Sequence, residues 1–272
     1  MAQQIPVSEH IEVGDPLADG TIELDASLVY RRLAIVNVVL CGPRDAGDRG
    51  WVLIDAGVTG SRPTIEQAAA LRFDAGARPA AIVLTHGHFD HVGAVEELAA
   101  AGTHRPCPSA RAPLSRRHAR LPAGRSVDRG RADEPAVAAL SAGADRPRVA
   151  APAAARRRKP AGNGRLALDP HAGHTPGHVS LWHEDTRTLV AGDAVITTAQ
   201  ESAYEVARQV PEVHGPPRYF TPDWAAAERS VRALNALRPK TLVSGHGPAL
   251  AGPAMRDGLE RLAADFRSVA VP

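Results

Sequence analysis

The chain reads as an α/β protein on three observations. Short apolar runs of strand length recur and end on a histidine or aspartate: Ala81-Ile82-Val83-Leu84 before His86, Leu189-Val190-Ala191-Gly192 before Asp193, and Thr241-Leu242-Val243-Ser244-Gly245 before His246. Segments of helical period lie between these runs. The 272 residues, 44% of them hydrophobic, are enough to bury a sizeable core as one domain over 1–272.

In chain order, Cys41 closes the apolar run Val38-Val39-Leu40 and reads as a small buried hydrophobe. Neither Cys41 nor Cys107 has zinc-knuckle spacing. Ser61 or Thr64 opens a helix through Ala70. The strand 81–84 runs into a helix whose apolar positions Val92, Val95 and Leu98 recur at helical spacing. Val179-Ser180-Leu181-Trp182 and 189–193 read as strands, and Thr221-Pro222-Asp223 starts a helix, with proline in its first turn, that runs to about Leu237. A last helix covers about Pro253 to Phe266. Tyr204, Tyr219, Phe220 and Trp224 suit either a pocket wall or the core.

The chemistry concentrates in Thr85-His86-Gly87-His88-Phe89-Asp90-His91. A strand ending near Thr85 lets His86 and His88 point the same way from the turn beyond it, and Asp90 and His91 follow from the start of the next helix. Imidazole and carboxylate donors suit a borderline divalent ion such as zinc. Four donors crowd a single ion that must keep an open position for water, so two adjacent ions are the natural solution. Gly173-His174-Thr175-Pro176-Gly177-His178, Gly192-Asp193 and Gly245-His246 repeat one design, in which a glycine allows close backbone approach and a donor follows.

This order of motifs, HxHxDH followed by His, Asp and His, resembles the metallo-β-lactamase superfamily over about residues 20–102 and 174–268. The resemblance implies a four-layer αββα sandwich with a metal site at one edge of its two sheets. It further implies that His86, His88 and His174 hold one metal, that Asp90, His91 and His246 hold the second, and that Asp193 bridges both. Val52-Leu53-Ile54-Asp55-Ala56-Gly57 matches the family's early strand, whose aspartate supports the site from behind; Thr85 and His178 are further supporting residues.

The expected activity is hydrolysis of an ester, thioester or lactone through a hydroxide bridging two zinc ions, with Asp90 also handling a proton. Iron or manganese could replace zinc. Two alternatives stand beside it: an iron-dependent dioxygenase on the same fold, and an inactive or misfolded relative. The glutamate that marks flavodiiron proteins would sit at His88, which argues against that class. Only 26 residues follow His246, too few for the long helical glutathione-binding region of a glyoxalase II-type enzyme. The expected partner is a small-molecule substrate, with neither nucleic acid nor membrane. No run approaches the ~20 apolar residues of a membrane span, and the N-terminus has no signal-like core, so a cytoplasmic location is expected.

The net charge of +2 conceals an asymmetry. Residues 103–173 hold fourteen Arg and one Lys against five acids, a balance of +10, so the rest of the chain carries −8. That segment has no Phe, Tyr or Trp and is rich in Arg, Ala and Pro, a composition that does not order itself. A nucleic-acid-binding insert, a flexible lid and out-of-frame translation compete to explain it. A phosphate-binding face normally sets basic residues on an ordered scaffold with aromatics, which this segment lacks. One choice of GC-rich codons for both ends can be read one base later as family-like peptides in one common frame. The expectation is therefore a shifted frame between two compensating indels, which resequencing of the coding DNA decides.

Overall fold

The computed structural model describes residues 5–6, 11–14, 16–102, 166–170, 172–199 and 210–272. Its elements are β1 (Ile5–Pro6), β2 (Ile11–Glu12), β3 (Thr21–Glu23), β4 (Leu28–Leu33), β5 (Val36–Cys41), β6 (Val52–Ile54), α1 (Arg62–Phe73), β7 (Ala81–Val83), α2 (Phe89–Val92), α3 (Val95–Ala100), β8 (Leu166–Pro170), β9 (Val179–His183), β10 (Thr188–Gly192), β11 (Glu212–Val213), a 3-10 turn (Arg218–Phe220), α4 (Trp224–Ala236), β12 (Thr241–Ser244), β13 (Leu250–Ala251), α5 (Gly252–Ala264) and α6 (Phe266–Val269). One sheet has the order β3-β4-β5-β6-β7 and the other β2-β13-β12-β10-β9-β8, while β1 pairs with β11.

Strand periodicity sorts the core into three layers. In β5, Val36, Val38 and Leu40 face outward onto Ile65, Ala68, Ala69 and Phe73 of α1, while Val39 and Cys41 face inward. Between the sheets, Leu28, Tyr30, Val39, Ile54 and Val83 meet Leu181, Val190 and Val243. On the far side, Leu189, Ala191 and Leu242 pack against Val231 and Leu234 of α4 and against Met255, Leu259 and Leu262 of α5. The four-layer αββα sandwich is thus the observed fold. Strands covered on both faces read as continuous apolar runs, which is why they stand out in the sequence. Cys41 is a buried free thiol as expected, and burial pushes its pKa up to about 12.

The helices follow the 3.6-residue period. Buried Ile65, Ala68, Ala69, Arg72 and Phe73 line one stripe of α1, which extends past the expected Ala70 to Phe73. In α4 the cap is Asp223, whose carboxylate accepts from the Ala226 N–H at 2.8 Å, so Pro222 lies before the helix rather than in its first turn.

Two further expectations are corrected. The single helix expected after Thr85 is split into α2 and α3, because the Gly93 and Ala94 N–H groups donate to the Gly57 and Ala56 carbonyls at 2.7 and 3.3 Å instead of continuing one helix. The end of the Arg-rich segment is not without structure: β8 pairs antiparallel with β9, from Leu166 opposite His183 to Pro170 opposite Val179. A backbone ladder at a sheet edge asks little of its side chains, and a proline is tolerated there. The shifted-frame expectation otherwise falls on residues 103–165, outside the described residues. No helix among the described residues is long and apolar enough to cross a membrane.

Candidate metal centre

Two parallel strand pairs build the site. β6 runs beside β7 with Ile54 opposite Val83, and β10 beside β12 with Gly192 opposite Ser244. Their carboxyl ends therefore deliver Asp55, Thr85-His86, Asp193 and Gly245-His246 to one edge of the sandwich. The turn after β7 adds His88, α2 adds Asp90 and His91, and the loop before β9 adds His174.

All seven predicted ligands converge. One ligand atom each from His86, His88, His174 and Asp193 lies within 4.8 Å of the others, as do those of Asp90, His91 and His246. Asp193 faces both groups: its Oδ2 lies 3.2 Å from His246 Nε2 and 3.5 Å from His174 Nε2, and its Oδ1 lies 3.4 Å from His91 Nε2. Asp90 Oδ2 is 3.4 Å from His246 Nε2.

Neighbouring residues fix which nitrogen of each ring faces inward. Asp55 accepts from the Thr85 N–H at 2.7 Å, from the Thr85 hydroxyl at 2.8 Å and from His91 Nδ1 at 2.9 Å, so His91 turns Nε2 toward the site. Asp55 does this with φ at +60°, a conformation costing a non-glycine residue roughly 1–3 kcal/mol, which the surrounding bonds hold in place. The Thr85 hydroxyl, already donating to Asp55, can only accept from His86 Nδ1 at 3.1 Å. By the same logic Thr221, which donates to the Pro217 carbonyl, accepts from His174 Nδ1 at 3.2 Å. The Ile35 carbonyl accepts from His246 Nδ1 at 2.6 Å. His178 takes no place among the ligands; its Nε2 accepts from the Asp193 N–H at 3.0 Å and so orients that aspartate.

The donor set fits divalent cations. With Nδ1 of His86 and His174 protonated, their Nε2 lone pairs meet His88 Nδ1 at 2.9 and 3.0 Å, and one proton cannot satisfy three such nitrogens. His91 Nε2 and Asp193 Oδ1 are buried and meet only each other, at 3.4 Å and short of a well-formed hydrogen bond, an arrangement that a cation between them and the neighbouring donors would relieve.

Protonation splits along the same lines. Burial pushes His86, His88 and His174 below the ordinary imidazole value, with the neighbouring imidazoles adding to the effect. Burial also opposes charge on His91 and His246, yet Asp193 outweighs it, helped at His91 by Asp55, and both lie above the ordinary value. Against its own burial, Asp193 is held well below the usual carboxylate range by His246 and His91. A ligating nitrogen must be bare, so filling the Asp90–His91–His246 group at pH 7 should release protons while filling the His86–His88–His174 group releases almost none. Affinity for an ion in the Asp90–His91–His246 group should accordingly rise with pH until the raised imidazole values are passed. Zinc calorimetry in two buffers of different ionisation enthalpy checks this; identical apparent heats for both binding steps would contradict it.

Around the site, Phe220 sets its ring 5.0 Å from that of His88, as a pocket wall would. Trp224 instead packs on Phe266 at 6.3 Å in the core, and Tyr219 is exposed. Tyr204 and His171 lie outside the described residues. The sequence reading missed Asn37, Thr197 and the ligand-orienting role of Thr221. Asn37 alone carried a signal, as the polar residue within Val36–Cys41.

Comparison with known proteins agrees with this fold. The sequence model of the metallo-beta-lactamase superfamily matches residues 31–246. The probable metallo-hydrolase YflN of Bacillus subtilis (strain 168) is 39% identical over 228 residues, covering 80% of this chain and 83% of that protein. Among solved structures, a beta-lactamase domain protein from Burkholderia ambifaria superposes with a TM-score of 0.59 at 19% identity, over 97% of this chain and 77% of that one. The chemotaxis sensor ODP, solved as a peroxy diiron species, superposes with a TM-score of 0.56 at 13% identity, over 89% of this chain and 93% of that one.

Proposed function

The chain belongs to the metallo-β-lactamase superfamily, and from that premise we propose that it hydrolyses an ester, thioester or lactone bond with two divalent ions, zinc first among them. The observation that carries this is the convergence of seven donor side chains in two groups, with Asp193 facing both.

In this reading His86, His88 and His174 hold one ion, Asp90, His91 and His246 hold the other, and Asp193 is shared. Bound there, such ions supply Lewis acidity toward a carbonyl oxygen and make water acidic enough to attack near neutral pH. The protein fixes the geometry from behind: Asp55 and Thr85 aim His91 and His86, and His178 aims Asp193. Asp90 is the carboxylate placed to hold or accept a proton during attack. Two exposed apolar residues adjoin the donors along the chain or through the backbone: Phe89, between His88 and Asp90 in sequence, and Ile35, whose carbonyl holds His246. With Phe220 on His88 they favour a substrate with an apolar acyl portion.

Zinc-loaded protein offered activated esters, thioesters and lactones should cleave at least one class, and a chelator should abolish that activity. Oxygen consumption by the iron-loaded form, with no hydrolysis by the zinc form, would overturn the reading in favour of a dioxygenase.

A further inference from the structure

His246 stands in a loop with little stiffness of its own. It lies in Ser244-Gly245-His246-Gly247-Pro248, between β12 and β13, with a glycine on each side. Neither glycine is replaceable in place: a Cβ on Gly245 would meet Asp193 Oδ1 at 2.1 Å, and Gly247 holds φ at +99° with Thr197 against it. The site therefore requires the two residues that leave the backbone most free, and the direction of the imidazole has to be imposed from outside.

Asn37 imposes it. This residue is 3% exposed and sits in β5 of the opposite sheet, in a strand otherwise made of Val, Leu and Cys. Its backbone N–H donates to the Gly245 carbonyl at 2.7 Å. Its side-chain amide donates to the Ser244 carbonyl at 3.0 Å and to the Gly247 carbonyl at 2.7 Å. Three bonds from one residue thus grip the chain on both sides of His246. The strand begins just after Ile35, whose carbonyl holds the His246 ring itself. On the other flank, the Thr197 N–H donates to the His246 carbonyl at 3.0 Å, and its hydroxyl has the Pro248 carbonyl as its nearest acceptor at 2.6 Å. Burying an amide in an apolar strand is unfavourable unless its polar atoms are used; both side-chain donations go to the ligand loop, and Oδ1 is buried without a partner, so the amide is kept for what its nitrogen holds.

We propose that Asn37 is a positioning residue for the second ion: it aims His246 into the Asp90–His91–His246 group without touching any donor atom. The proposal rests on those three side chains being a metal position. His86, His88 and His174 come from other segments, so the first ion should not depend on Asn37.

The test is a zinc titration of metal-free protein against a chromophoric chelator, which resolves the two affinities. Wild type should bind two ions per chain. Asn37→Ala should keep the tighter affinity and weaken the other about 10- to 100-fold, the range found when partners that orient a metal ligand are removed. Val38→Ala, a core truncation one residue along, is the reference for a purely structural loss; it should lower Tm without changing the ratio of the two affinities. If Asn37→Ala does not fold, Asn37→Leu replaces it, since it nearly keeps the volume and removes both donated bonds without burying a charge. An unchanged ratio in the Asn37 variant, or equal weakening of both ions, overturns the role of Asn37 while leaving the two-ion site standing. A wild type that binds only one ion overturns both.

Discussion

Asp193→Ala should strip the protein of most of its divalent metal and reduce hydrolysis on the order of 10³-fold. Removing a partner that merely orients a ligand costs 10- to 100-fold, and Asp193 stands closer to the chemistry than that, facing His86, His174, His91 and His246 within 3.8 Å. The substitution also leaves His91 and His246 without the carboxylate that outweighs their burial, so both should fall toward the neutral imidazole. Elemental analysis of the purified variant beside wild type is the check. Metal content equal to wild type would remove Asp193 from its bridging place.

Chelation should lower Tm by about 10 °C. Ligand present at a thousandfold its Kd stabilises the fold by ~4 kcal/mol, and for a chain of this size each kcal/mol moves Tm by roughly 2–4 °C. The structural source is local. Without cations, His88 Nδ1 faces the nitrogens of His86 and His174 at 2.9 and 3.0 Å, and His91 Nε2 and Asp193 Oδ1 are buried with only each other at 3.4 Å. Differential scanning fluorimetry with and without a chelator, followed by zinc add-back, measures it. A Tm unchanged on chelation and on add-back would mean that these donors do not hold metal in the folded protein.

The donor cluster was readable because the local pattern carries it. His86, His88, Asp90 and His91 fall in six consecutive residues, and Asp193 and His246 each follow an apolar strand and a glycine. Strands covered on both faces make such runs conspicuous, and parallel pairing then places their ends together. Long-range hydrogen bonds left no such mark. Asn37 reaches residues more than 200 positions away, and no local pattern names its partners. The break between α2 and α3 is equally non-local, since it depends on the carbonyls of Ala56 and Gly57, some 36 residues upstream. Proline at 222 suggested a helix start, but Asp223 next to it proved to be the cap, a displacement of one or two residues that propensity alone does not resolve. The substrate stayed illegible because metal-binding donors indicate the chemistry, whereas the shape that selects a substrate depends on neighbours that only the fold brings together.

The most direct test is the metal content of soluble, purified wild-type protein after dialysis. Two divalent ions per chain, lost on Asp193→Ala, are expected. Folded protein that retains no ion, and takes up none when dialysed against zinc, would contradict a two-metal hydrolase.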